Sequence, residues 1–145
     1  RTALIWLGRI HFDAEEYDEA LNCFESTVKF GGNAGAESQF MISKIKYNLG
    51  DYESAESNIF TLVSDFSSYD EWKFKGFLLL VRTYIGLNDL FQARATAESI
   101  MENVDVEWVQ DSCSDLMMEI EAMEGSELNG TDLIETGTQN EVNDK

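Results

Sequence analysis

The chain has 145 residues and a formal net charge of −18, from 28 acidic and 10 basic residues. Its length suits one modest domain, and a hydrophobic content of 43% is enough for a packed core. The acidic balance disfavours binding to nucleic acid or to anionic membrane surfaces, because both depend on Lys and Arg to neutralise phosphates. Its simplest consequence is solubility.

One short motif occurs three times and determines the expected architecture. The middle copy reads Gly50-Asp51-Tyr52-Glu53-Ser54-Ala55, and the other copies lie at residues 15–20 and 88–93. The alanines that end the copies are 35 and then 38 residues apart. Self-similarity at such a period is typical of repeat folds.

Apolar residues on either side of each copy follow helical spacing, so each unit is predicted to be a helix, a tight turn and a second helix. The predicted helices are residues 2–14 and 16–29, 35–49 and 52–65, and 70–87 and 90–103. Gly31 is expected to form a left-handed cap after the second helix. Ser68, with Glu71 three residues later, has the pattern of a capping box.

Small residues recur where paired helices should cross. Equivalent positions in the first helices hold Gly8, Ser43 and Val81, and those in the second helices hold Ala20, Ala55 and Ala93. Small side chains at these places let two helix backbones approach closely, while larger neighbours interlock.

The repeated positions resemble the tetratricopeptide repeat family over roughly residues 2 to 104. The matching residues are Leu4, Leu7, Gly8, Tyr17, Ala20 and Phe24 in the first unit, Ile42, Ser43, Gly50, Tyr52, Ala55 and Ile59 in the second, and Phe77, Leu80, Tyr84 and Ala93 in the third. His11 and Lys46 depart from the pattern, since the family favours an aromatic residue there. The chain also has no proline to close a unit.

The resemblance implies an all-α fold, a right-handed α-solenoid of three helix pairs, with units at about 2–33, 35–67 and 70–104. The third unit is similar to repeats of large Bacteroidota proteins of this family, which implies a periplasmic or cell-envelope location. Without that narrower similarity, the cytoplasm is the expected compartment. Because Arg1 already lies inside a repeat, we expect further units upstream.

The last part of the chain is predicted to close the array. Asp105 is a suitable N-cap for a capping helix over residues 105–124, whose apolar stripe would cover the end of the solenoid. Residues 125–145 contain no aromatic residue and few large apolar ones. We therefore expect a disordered acidic tail there.

The sequence contains no recognisable catalytic constellation, and we expect no enzymatic activity, metal or cofactor. His11 is the only histidine and has no nearby cysteine cluster with which to form a zinc site or a Cys-His pair. Cys23 and Cys113 should lie too far apart for a disulfide, so both are expected to be free thiols.

The few basic residues recur at the period of the repeat. Arg9, Lys44 and Arg82 occupy one equivalent position of the first helices, which in the resembling family faces the concave surface. The candidate partner-binding residues are Arg9, Phe12, Lys44, Tyr47, Asn48, Lys75 and Arg82. Their expected ligand is a protein or peptide segment that is acidic or carboxylate-ended. The alternative is that each basic residue pairs with an acid on the next helix, as Arg9 would with Glu37.

The predicted function is a non-catalytic protein–protein interaction or scaffold module. The alternative is an accessory or regulatory domain of a larger enzyme whose catalytic part lies upstream. A third possibility is that this part of the protein only self-associates. The sequence that precedes Arg1 would separate the first two.

Overall fold

The computed structural model describes residues 2–143, with side chains described through residue 129. Over this range the chain consists of helices joined by short connections, without strands, which confirms the predicted all-α class. The helices are α1 (Thr2–Asp13), α2 (Tyr17–Val28), α3 (Gly32–Asn48), α4 (Tyr52–Asp65), α5 (Asp70–Gly86), α6 (Leu90–Asn103) and α7 (Glu107–Asn143). Each predicted helix boundary lies within three residues of the observed one, except the end of α7.

The helices form two layers. Helices α1, α3, α5 and α7 contact one another in succession and are called the A layer here. Helices α2, α4 and α6 each lie against the A helices before and after them in the chain and are called the B layer. Because every helix packs mainly on its neighbours in sequence, the core is divided into local clusters.

The three copies of the motif form the same turn. The residue five positions before each alanine has positive φ: 59° at Glu15, 77° at Gly50 and 57° at Asn88. In each copy, the N–H of the next residue donates to the carbonyl of the residue five positions earlier. These hydrogen bonds run from Glu16 to His11 at 2.8 Å, from Asp51 to Lys46 at 2.9 Å and from Asp89 to Tyr84 at 2.9 Å. This pattern satisfies the last carbonyls of the A helix, as in a Schellman motif.

The small residues at the helix crossings are buried as predicted. Ala20, Ala55 and Ala93 are 0% exposed. A Cβ atom added to Gly8 would lie only 2.8 Å from the ring of Phe24 on the facing helix. The repeated positions therefore determine how closely α1 and α2 approach.

Two capping predictions are wrong. Gly31 has the predicted positive φ of 68°, but its ψ of −157° is not that of a left-handed cap. It serves instead as the N-cap position of α3, which therefore starts at Gly32. The capping box is absent because Tyr69 holds the N-cap position of α5, and no side chain caps that helix.

Helix α7 has the predicted buried stripe but a different length. Val109, Cys113, Leu116 and Ile120 are buried against α5 and α6. The helix begins at Glu107, after Asp105, and runs to Asn143, so the end predicted at Glu124 is corrected. No proline interrupts the segment, and its backbone hydrogen bonds continue although Leu128 is exposed. The predicted disordered tail, residues 125–145, has a helical backbone through Asn143, while its side chains beyond residue 129 and residues 144–145 lie outside the described part.

Both cysteines are free, as predicted, and both are buried. The thiol of Cys113 donates to the carbonyl of Ala97 at 3.2 Å, and burial raises its pKa. None of the helices in the described range is both long and apolar enough to cross a membrane.

Candidate partner-binding surface

The seven predicted binding residues all lie on A-layer helices, but the structure does not join them into one continuous row. Lys44, Lys75 and Arg82 surround a single recess. Arg9 is held in an ion pair on α1. Phe12, Tyr47 and Asn48 lie at the ends of their helices, next to the turns.

The recess between α3 and α5, called the cationic recess here, has a volume of about 170 Å³. Its three cations are Lys44 on α3 and Lys75 and Arg82 on α5, and its apolar floor is formed by Phe40, Leu78 and Leu79. Lys75 and Arg82 are seven residues apart, so they share one face of α5 and are separated by about 10.5 Å along it. Lys44 approaches from the neighbouring helix.

Two of the three cations have carboxylate partners at the edge of the recess. Lys75 Nζ lies 3.0 Å from Glu71 Oε1 and stands 4.4 Å from the centre of the Trp72 ring. Arg82 Nη1 lies 3.8 Å from Glu119 Oε2 on α7. The side chains of the second pair are 46% and 50% exposed, so water competes strongly with this contact.

Lys44 lacks such a partner. Among the described side chains, no carboxylate lies within 4.0 Å of its ammonium group, which stands 5.2 Å from the centre of the Tyr47 ring. Burial, and then the positive charge of Arg82, lower the pKa of Lys44. The positive charge of the recess is therefore not balanced internally at this residue.

Arg9 differs because its charge is already matched. Its Nε donates to Glu37 Oε1 at 2.6 Å and its Nη2 to Glu37 Oε2 at 2.7 Å, and Glu37 is buried. The alternative predicted from sequence, an internal pair between these two residues, is confirmed. Arg9 also stacks over Trp6, with Cζ 4.8 Å from the ring centre.

The repeat explains why Lys44, alone among the equivalent residues Arg9, Lys44 and Arg82, has no acidic partner among the described side chains. Arg9 pairs with an acid on the next A helix, Glu37, and Arg82 contacts an acid on the next A helix, Glu119. Glu37 precedes Ala55 by 18 residues, and Lys75 precedes Ala93 by the same number, so Glu37 and Lys75 occupy equivalent positions of their units. At the α3–α5 contact, the position that holds the acid in α3 therefore holds a lysine.

The predicted aromatic residues and Asn48 have structural contacts at the turns. The rings of Phe12 and Tyr17 lie 5.8 Å apart, and those of Tyr47 and Tyr52 lie 5.6 Å apart at the equivalent place. Asn48 Nδ2 donates to the Tyr17 hydroxyl at 3.3 Å. Each of these contacts joins an A helix to a B helix.

Sequence reasoning missed the floor and the acidic edge of the recess. Phe40 and Leu78 stand at one equivalent position of their units, four residues before Lys44 and Arg82, so the repeat alignment held a signal for them. Glu119 gave no comparable signal, because it comes from α7, outside the repeated units. Among the described residues, no group of three or more His, Cys, Asp or Glu side chains is arranged to hold a metal ion.

No model of a known protein family matches the chain, and no curated protein matches it.

Proposed function

We propose that this protein is a non-catalytic interaction module that binds an extended, acidic segment of a partner protein across its A layer. The A layer is then the concave surface of a right-handed, tetratricopeptide-like solenoid. The observation that carries the proposal is the cationic recess, which gathers three cations on a chain with a net charge of −18.

The composition of the recess supports a peptide ligand. Its apolar floor of Phe40, Leu78 and Leu79 offers contact to apolar side chains, while the cations at its edge offer partners to carboxylates. An extended segment presents both kinds of group in alternation. Because the cations are partly exposed, each pair contributes only about 0–1 kcal/mol, and binding is weak and sensitive to salt.

The test compares the parent protein with two triple variants of equal charge. The first is Lys44→Met/Lys75→Met/Arg82→Met, which removes the recess cations. The second is Lys29→Met/Lys46→Met/Lys73→Met, which removes three lysines that do not line the recess. The ligand is a glutamate-rich peptide with a free carboxyl terminus, titrated by calorimetry at two salt concentrations.

We expect the parent and the second variant to bind the peptide, with lower affinity at the higher salt concentration. We expect the first variant not to bind it. Circular dichroism shows whether each variant remains folded. Equal binding by the two folded variants would place the ligand elsewhere and overturn the proposal.

A further inference from the structure

The cations that line the cationic recess come from two neighbouring helices. Lys75 and Arg82 stand two turns apart on α5, and Lys44 comes from α3. A carboxylate has two oxygens in one plane, which match a single guanidinium group. A phosphate monoester offers three acceptor oxygens arranged around a tetrahedron, so it can accept from donors on both helices at once.

The charges of the recess also favour a dianion. Glu71 and Glu119 already contact two of the cations, so a ligand must compete with two carboxylates that belong to the protein. A ligand with one negative charge gains little by replacing them. A phosphate monoester carries a charge of about −1.5 to −2 at neutral pH and can pair with Lys44 as well.

We infer that the cationic recess recognises a phosphorylated side chain in the partner's acidic segment. This inference rests on the proposed function and specifies the group bound at the recess. Lys44 is its central donor, because the other two cations have acidic partners and Lys44 has none among the described side chains. Arg9 takes no part, since it does not line the recess and its Nε and Nη2 already donate to Glu37.

The experiment uses one acidic seven-residue peptide with serine, aspartate or phosphoserine at its centre, and inorganic phosphate as a fourth ligand. Affinities are measured with the full chain by calorimetry at pH 7.5 and at pH 5.5. We expect the phosphopeptide to bind about ten-fold more tightly than the aspartate peptide at pH 7.5, because it adds charge and a third acceptor oxygen. This advantage should shrink at pH 5.5, where phosphate loses its second charge.

Three variants locate the effect. Lys44→Met should remove the preference for phosphate, whereas Lys46→Met, two residues further along α3 and outside the recess, should retain it. Lys75→Glu places an acid on α5 at the position where α3 has Glu37, and the new carboxylate should pair with Lys44. This variant should not bind the peptide, and its melting temperature should be unchanged or higher. A loss of binding in such a stable variant cannot result from unfolding.

The possible failures are distinguishable. Equal affinity for the aspartate and phosphoserine peptides would overturn the phosphate inference and leave the proposed acidic ligand intact. Inorganic phosphate binding as tightly as the phosphopeptide would also overturn it, since the partner segment would then contribute nothing. No binding of any peptide would overturn both proposals.

Discussion

Arg9 and Glu37 join α1 to α3 through two hydrogen bonds of 2.6 and 2.7 Å, and the acid of this pair is buried while the base is 38% exposed. The two residues are therefore not equivalent. Removing Arg9 leaves a buried carboxylate without its partner, whereas neutralising Glu37 leaves a guanidinium group that water can reach.

We predict that Arg9→Met lowers the free energy of unfolding by about 2 kcal/mol and Glu37→Gln by about 1 kcal/mol. The double variant Arg9→Met/Glu37→Gln should cost less than the sum of the single variants, because it leaves no unpaired charge. Urea unfolding of the four proteins measures these differences. Additive losses would show that the pair contributes no coupling energy.

Glu15 has the same left-handed backbone as Gly50 and Asn88 in the other two turns, with φ of 59°, but a side chain poorly suited to it. We predict that Glu15→Gly stabilises the protein by about 1 kcal/mol, because glycine adopts positive φ without a steric cost. The control is Glu16→Gly, whose φ is −85° and which should bring no gain. Thermal unfolding compares them, and equal shifts would argue against backbone strain at Glu15.

Ala55 lies at the crossing of α3 and α4 and has no exposed surface. We predict that Ala55→Leu costs about 1–3 kcal/mol, because the added methylene groups have no space. Ala95→Leu is the control, since Ala95 is exposed on α6 and lines an open groove. An unchanged melting temperature for Ala55→Leu would contradict the packing of the repeat.

Tyr84 gives a prediction for alkaline pH. Burial, together with a hydrogen bond to Glu56 and the negative charges of Glu56 and Asp89, raises the pKa of Tyr84 to about 12. Since the folded state favours the neutral phenol, its stabilising contribution is present below the ordinary pKa of about 10 and is lost as the pH rises through about 12.

The ultraviolet absorbance of the phenolate, taken as the difference between the parent protein and Tyr84→Phe, follows this ionisation. Glu56→Gln should lower the pKa of Tyr84, because one of its causes is removed. An unchanged titration in that variant would show that Glu56 contributes nothing and would leave burial and the charge of Asp89 as the causes.

Helix α7 covers the last part of the core, and we predict that its two halves differ in importance. Deleting residues 125–145 should leave the free energy of unfolding nearly unchanged and keeps the contact between Arg94 and Glu124. Deleting residues 107–145 should expose the cluster that contains Val81, Ala97 and Ile100 and cause aggregation. Light scattering and urea unfolding test both deletions, and a large loss from the shorter one would require tail contacts with the core.

The sequence by itself determined the helices, the turns and the buried small residues, because these features depend on spacing within one unit. The distance from Ala20 to Ala55 predicts the period, and the apolar spacing predicts six helices to within three residues. The end of α7 was not predictable in this way, because composition indicates poor packing in residues 125–145 but no stop signal such as proline marks a helix end.

Only the tertiary structure decided which basic residues remain available to a ligand. Arg9 and Glu37 are 28 residues apart, and the partner of Arg82 comes from α7, so neither pairing belongs to a single unit. The sequence placed Arg9, Lys44 and Arg82 at equivalent positions and made them look alike. Ion pairing depends on which side chains meet across adjacent helices. At the contact between α3 and α5, Lys44 faces a recess lined by Lys75 instead of an acid.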